Sequence, residues 1–271
     1  MDGGGAGWDD DLTLAFALAD LADEITLRRF RAADLRVDTK PDLTPVSDAD
    51  RAVETAIRDR LGHDRPTDAV VGEEFGATQA GAGVHQPDRS WIVDPIDGTK
   101  NFVRGVPVWA TLLALRAGAE VGVGVVSAPA LGRRWWATRG GGSWTSYGGG
   151  AAVRCAVSRI DSLDDAFLSY SSLTGWAAQQ RLDALLELAQ RVWRTRAFGD
   201  FWSHLLVAEG AVDVSCEPEV SLWDLAALQP IVEEAGGRFT DLTGVRGPDG
   251  GSVVCTNGLL HDDVIGALSP G

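Results

Sequence analysis

The chain has 271 residues, 45% hydrophobic and 23% charged, with a formal net charge of −15. This is the composition of a globular chain with ample core; no apolar run approaches the ~18 residues needed to cross a bilayer. The acidic balance, with no basic run or stripe, argues against nonspecific nucleic-acid binding.

The opening Met1-Asp2-Gly3-Gly4-Gly5 lacks the basic start and apolar stretch of a signal peptide. Three cysteines (Cys155, Cys216 and Cys255) are odd in number, far apart and in no metal-ligand spacing, which suits reduced, buried thiols. The expectation is a cytoplasmic protein with neither a membrane nor a nucleic-acid partner.

After the Gly-rich start, a helix is expected over about 9–31, with acids early and Arg28, Arg29 and Arg31 late, in keeping with the helix dipole. Two prolines keep Lys40-Pro41-Asp42-Leu43-Thr44-Pro45-Val46 extended. Ser47 then caps a second helix, with Asp50 at the third position as a weak capping box. Val53, Ile57 and Leu61 form its stripe, and Gly62 is expected to stop it. Capping alone would account for Asp50. Val70-Val71 is a short strand running into Gly72-Glu73-Glu74, and 76–87 reads as an exposed, mobile loop.

Next comes Trp91-Ile92-Val93-Asp94-Pro95-Ile96-Asp97-Gly98-Thr99-Lys100-Asn101-Phe102. Trp91 to Val93 make a buried strand that ends in Asp94, and Pro95 biases Asp94 toward an extended conformation. The turn can bring Asp97 toward Asp94. Gly98 allows a backbone that other residues resist, and Thr99 can open a helical turn with free N–H groups. Carboxylates on one side and bare N–H donors on the other suit a metal-bridged phosphate. A solvated Asp/Gly turn is the plainer alternative.

Three strands follow, over 109–116, 121–127 and 133–138, with Gly118 at the first hairpin. The triplets Gly140-Gly141-Gly142 and Gly148-Gly149-Gly150 lack the lysine and helix of a phosphate loop and read as flexible hairpin connections. A strand returns at 153–157, and the character shifts at 161–165. The expected division is therefore a metal- and phosphate-binding half (1–160) and a substrate-specificity half (161–271) of one compact unit.

In the second half, strands are expected at 166–170, 192–198, 212–216, 238–240 and 252–256. Helices are expected at 176–190, with Leu182, Leu185, Leu186 and Ala189 inward, at 201–209 with Asp200 as N-cap, at 222–235 with a break at Pro230, and at 261–268. Asp224 lies among Leu222, Trp223, Leu225 and Ala226, so it is partly buried and needs a basic partner or a metal. The candidate ligands are all oxygen donors, which points to Mg²⁺.

Gly72-Glu73-Glu74, the 91–102 stretch, and Leu222-Trp223-Asp224 with Glu234-Ala235-Gly236-Gly237 together resemble the inositol monophosphatase-like superfamily, in its order and spacing. The resemblance implies an α+β fold, a layered α-β-α-β-α sandwich, homodimeric, that hydrolyses phosphate monoesters with two to three Mg²⁺ ions. It assigns Glu73, Asp94, the Ile96 carbonyl, Asp97 and Asp224 to metal. Thr99 would orient the attacking water, with Asp50 and Glu73 supporting it, and Gly98 and Thr99 would bind phosphate through backbone donors. Lys100 departs from the inositol-specific pattern.

The strings from Asp42 to Ser47, from Arg196 to His204 and from Cys216 to Asp224 look like the histidinol-phosphate phosphatase branch. Asp97, Arg196, Asp200, Glu217 and Asp224 would then contact substrate. Two acids on the alcohol side, Asp200 and Glu217, suit an ammonium and an imidazole better than a neutral polyol. A helix cap (Asp200) and a solvated loop acid (Glu217) are the plainer alternatives. A general inositol or sugar phosphatase, a nucleotidase or a regulatory partner-binding protein remain the competing functions.

Overall fold

The computed structural model describes residues 7–41, 43–78 and 88–269. Five layers alternate as α-β-α-β-α. The first pairs Asp9–Arg29 with Asp48–Asp64, packed on one face of an eight-stranded sheet. That sheet runs Val153–Arg154, Gly142–Tyr147, Arg133–Thr138, Glu120–Ala128, Ala110–Ala117, Arg89–Asp97, Ala69–Gly72, Gly76–Thr78 in spatial order. All neighbours are antiparallel except Ala69–Gly72 beside Arg89–Asp97. Asp200–Ala208 and Leu228–Glu234 form the middle layer. A five-stranded sheet follows, ordered Arg194–Arg196, Phe167–Tyr170, Val214–Glu217, Val253–Thr256, Arg238–Thr240. Leu173–Ala178, Leu182–Arg191 and His261–Leu268 cover its far face.

The period-two pattern of the strands builds these layers. On Arg89–Asp97, Trp91 and Val93 pack toward the first helix pair and Ile92 toward the middle helices. On Val253–Thr256, Val253 and Cys255 face the middle layer and Val254 the outer helices. The three cysteines are free and buried. Trp91 is wholly buried and its Nε1 donates to Asp68 Oδ2 at 3.0 Å, which fixes the strand that carries the acids. Among the described residues, no helix is long and apolar enough to cross a membrane.

Several boundaries differ from expectation. Asp48–Asp64 runs through Gly62, because a glycine near a last turn costs only about 1 kcal/mol and Arg65 N still closes the helix on Leu61 O at 2.7 Å. The two glycine triplets flank a real strand, Gly142–Tyr147, paired to Arg133–Thr138. The strand expected at 153–157 is only Val153–Arg154. The helix expected over 176–190 is two, Leu173–Ala178 and Leu182–Arg191, with Gln180 at φ 56 between them. Leu186 is exposed, and Leu188 is buried beside Leu185. Pro230 does not break its helix: it sits in the first turn of Leu228–Glu234, where a missing N–H removes no bond, and the break falls at 226–227. Residues 76–78 of the expected loop form a short strand, while 79–87, Asp42 and the Gly-rich start lie outside the described residues.

Candidate active site

The strand Arg89–Asp97 does not end at Asp94. Its register against Ala110–Ala117 slips between Asp94 and Asp97, and this bulge turns both acids toward one point. Asp94 is buried and its Oδ1 accepts from Ile96 N at 3.0 Å. Gly98 follows at φ 83 as N-cap of Thr99–Arg104, and a Cβ there would come within 2.9 Å of Val108 O and 3.2 Å of Asp200 Oδ2. Glycine is therefore required twice over, by conformation and by space.

Asp224 reaches the same point from the other half. Ligand oxygens of Asp94, Asp97 and Asp224 all lie within 4.8 Å of one another. Asp224 also holds local structure, because its Oδ2 accepts from Ser221 N at 2.7 Å and closes a capping box on Leu222–Leu225. Asp50 is built the same way. Its Oδ2 accepts from Ser47 N at 2.8 Å and Ser47 Oγ at 2.5 Å, while Oδ1 lies 3.3 Å from Thr99 Oγ1. Capping and site roles thus coexist, one on each oxygen. Thr99 Oγ1 is also 2.9 Å from Ile96 O, and its single hydrogen serves one acceptor at a time.

Glu73 directly follows the neighbouring strand Ala69–Gly72 and binds Lys40 Nζ at 2.8 Å; the same ammonium binds Glu74 at 2.6 Å. Burial opposes the charge on Lys40, but its bonds to the two glutamates outweigh that and raise its pKa. The Glu73 turn is set by a residue the sequence did not single out. Glu54 is wholly buried, ion-paired to Arg58 at 2.7 Å, and accepts from Glu74 N at 2.8 Å and Phe75 N at 3.2 Å. Its carboxylate fills the space where a Cβ on Gly72 would sit, at 2.1 Å. Gly72→Ala must therefore expel a paired, buried acid. We expect a loss of about 2–3 kcal/mol in urea unfolding, as for an overpacked site with unsatisfied polar groups; a change under about 0.5 kcal/mol would show that Glu54 does not hold the turn.

The acids repel one another. Asp94 is pushed well above the usual carboxylate range by burial and then by Glu73, Asp97, Asp224 and Asp50. Asp97 is also pushed well above it, by burial, Asp200 and Asp224, against the help of the Phe201 N–H, which donates to Oδ2 at 2.7 Å. Burial, with Glu73 and Glu217, lifts Asp224 to about 7 despite the Ser221 N–H. Burial also raises Asp50. A cluster of carboxylates whose charged neighbours are other carboxylates is stable when ionised only with a cation among them. All-oxygen donors at this spacing fit Mg²⁺, and no histidine or cysteine lies in the trio.

Beyond the trio opens a cleft of about 510 Å³ whose wall includes Asp97, Lys100, Asp200, His204, Glu217 and Asp224. Glu73, Gly98, Thr99 and Lys40 line an adjoining cleft that shares Lys100, Asp200 and Asp224. Asp200 is not an N-cap. Gly199 is, and Asp200 is the first helical residue, at φ 50. Its Oδ2 accepts from Asn101 Nδ2 at 2.8 Å, and burial with Glu217 lifts it to about 6 against Lys100 and His204. Glu217, at a strand end, bonds His204 at 3.0 Å and is not a solvated loop acid. Arg196 is not in the wall of either cleft. It is exposed on an edge strand and its Nη1 donates to Thr195 O at 2.8 Å. His204 and Lys40 are wall residues that sequence reasoning did not single out, as is Asn101 behind Asp200. For His204 the signal was available, since it lies one helical turn after Asp200.

A model of the inositol monophosphatase family matches residues 8–270. A histidinol-phosphatase of Mycobacterium tuberculosis is 61% identical, covering 97% of this chain and 99% of the relative. One from Streptomyces coelicolor is 56% identical, covering 96% and 97%. The crystal structure of an extragenic suppressor protein of Bartonella henselae superposes with a TM-score of 0.86 at 27% identity, covering 97% of this chain and all of that one. With one family model spanning nearly its whole length, the chain belongs to the inositol monophosphatase family.

Proposed function

We propose that the protein hydrolyses L-histidinol phosphate to L-histidinol and phosphate, with two to three Mg²⁺ ions held by Glu73, Asp94, Asp97, Asp224 and the Ile96 carbonyl. The observation that carries the substrate is the pairing of Asp200 and Glu217 in the cleft that opens from the metal-side acids. The identity with histidinol-phosphatases of two actinobacteria supports the same reading.

Bound among these acids, Mg²⁺ would supply positive charge for the phosphate oxygens and a lowered pKa for the attacking water. The chain's own groups do the rest. The first N–H groups of Thr99–Arg104 have no intrahelical partner and bind the phosphate with the Gly98 N–H. The Thr99 hydroxyl orients the water through its oxygen while donating its hydrogen bond to Asp50 Oδ1, 3.3 Å away. Asp50 keeps its place through the Ser47 cap. Lys100, beside Asp200, joins Lys40 in the wall of this cleft and adds positive charge that attracts an anion.

On the alcohol side, a hydrogen bond between a carboxylate and an ammonium is worth about 1.5–3 kcal/mol, or roughly ten- to hundredfold in selectivity over an uncharged ester. A phosphate-release panel tests this at saturating Mg²⁺. Histidinol phosphate should give a kcat/KM at least about tenfold above inositol 1-phosphate, fructose 1,6-bisphosphate and a nucleoside bisphosphate. A higher value on any of these would overturn the substrate. The family resemblance also supports a cytoplasmic homodimer, which light scattering checks as a doubled mass.

A further inference from the structure

The Asp200–Ala208 helix brings a second polar side chain to the cleft wall. His204 is almost fully buried, yet both its ring nitrogens are engaged. Nε2 lies 3.0 Å from Glu217 Oε1 and Nδ1 lies 3.1 Å from Ser215 Oγ. Ser215 and Glu217 alternate onto the same face of Val214–Glu217, so one strand meets the ring at both ends.

The chemistry of the donors fixes the direction of the bond to Glu217. An ionised carboxylate only accepts, so Nε2 must carry the hydrogen. Nδ1 makes the second bond, with the Ser215 hydroxyl, which can donate or accept. Ser215 is wholly buried, so no solvent competes for that bond. The result is a continuous hydrogen-bonded chain through Ser215, His204 and Glu217. It commits Oε1 of Glu217 and leaves Oε2 without a hydrogen bond among the described residues, on a side chain that lines the cleft. A glutamate held by one oxygen has its rotamers restricted before any ligand arrives.

The geometry points to His204 as a positioning residue for charge selection: the Ser215–His204 pair pins Oε1 of Glu217 and so presents Oε2 to the ammonium group of the substrate. This rests on the reading of the cleft as an amino-alcohol phosphate site. It assigns discrimination between an aminated and a deaminated ester to a side chain that does not touch the substrate. Packing alone makes a different prediction, because a ring that only fills space affects every substrate alike.

The test uses the full-length, Mg²⁺-loaded enzyme with two substrates, L-histidinol phosphate and 3-(imidazol-4-yl)propyl phosphate, which keeps the ring and the ester and lacks the amine. His204→Leu should raise KM for histidinol phosphate about tenfold, the loss of one charge-assisted bond, with kcat within about twofold and the deamino KM unmoved. His204→Gln, whose amide donates to Oε1, should recover most of that loss. Ser215→Ala, which removes the bond that holds the far side of the ring, should raise the same KM severalfold. If His204→Leu does not fold, the Gln rescue and the Ser215→Ala effect decide the matter.

Equal KM increases on both esters, or a fall in kcat with KM unchanged, would overturn the role of His204. A wild type that prefers the amine and keeps that preference in His204→Leu overturns it too, leaving the substrate reading intact. A wild type with no preference for the amine overturns the substrate reading, and this inference with it.

Discussion

Asp94→Asn is expected to lower kcat by about three orders of magnitude while the chain stays folded, since a metal clamp is worth several kcal/mol to the transition state and each 1.36 kcal/mol is tenfold in rate. The local structure should survive because an amide oxygen can still accept the Ile96 N–H that now reaches Oδ1 at 3.0 Å. The electrostatics should improve when no metal is present. Asp94 faces Glu73, Asp97, Asp224 and Asp50, so removing its charge relieves repulsion in a buried place. Metal-free Asp94→Asn should therefore melt no lower than the metal-free wild type, and Mg²⁺ should raise its melting temperature less. Turnover near wild type at saturating Mg²⁺ would sink the assignment of Asp94 as a ligand. A melting temperature well below the wild type's would show that the charge is structural.

That contrast also explains what was legible in the chain itself. The acids of 91–102 could be read because they sit at a local break, where a β-rich run meets Asp-Pro and Asp-Gly. The helix and strand stripes were readable for the same reason, since period and cap are short-range properties: Ser47 with Asp50 and the Val53, Ile57, Leu61 stripe stand as expected. The bulge that converges Asp94 and Asp97 depends on the register with a strand that comes later, so the sequence showed the acids but not the mechanism that joins them. Glu54 could not be found at all from a helix face on which it reads as an ordinary exposed acid. Its partners are the Glu74 and Phe75 N–H groups and the vacant Cβ space of Gly72, far along the chain. Arg196 shows the opposite limit. The resemblance of the 196–204 string implied a place for it in the cleft, but the intervening turn at 197–199 leaves it on an edge strand, outside that wall.

The metal-free protein is expected to lose stability as pH rises from about 4 to above 7, and Mg²⁺ to return it. The unfolded carboxylates titrate near 3.9. In the folded chain Asp94 and Asp97 lie well above that, Asp200 is at about 6 and Asp224 at about 7. Between the two sets of values the folded state holds more protons than the unfolded one, so the free energy of unfolding falls with rising pH across that window. This is opposite in sign to a site built of salt-bridged acids, whose folded pKa values are depressed and whose stability grows as pH rises through them. Magnesium competes with protons for the ionised form. Its stabilisation should thus be small at pH 5 and large at pH 8, reaching about 2.7 kcal/mol at a hundredfold excess over its dissociation constant. For a chain of this length that corresponds to a melting shift of roughly 5–11 °C. Melting curves at pH 5 and 8, with EDTA and with Mg²⁺, measure it directly. Asp224→Asn should flatten the metal-free slope, because its proton leaves late, as pH rises through about 7. A metal-free melting temperature that climbs from pH 5 to 8 would mean that the acids are already paired with cations of the protein itself, and that Mg²⁺ is not what the cluster is built to receive.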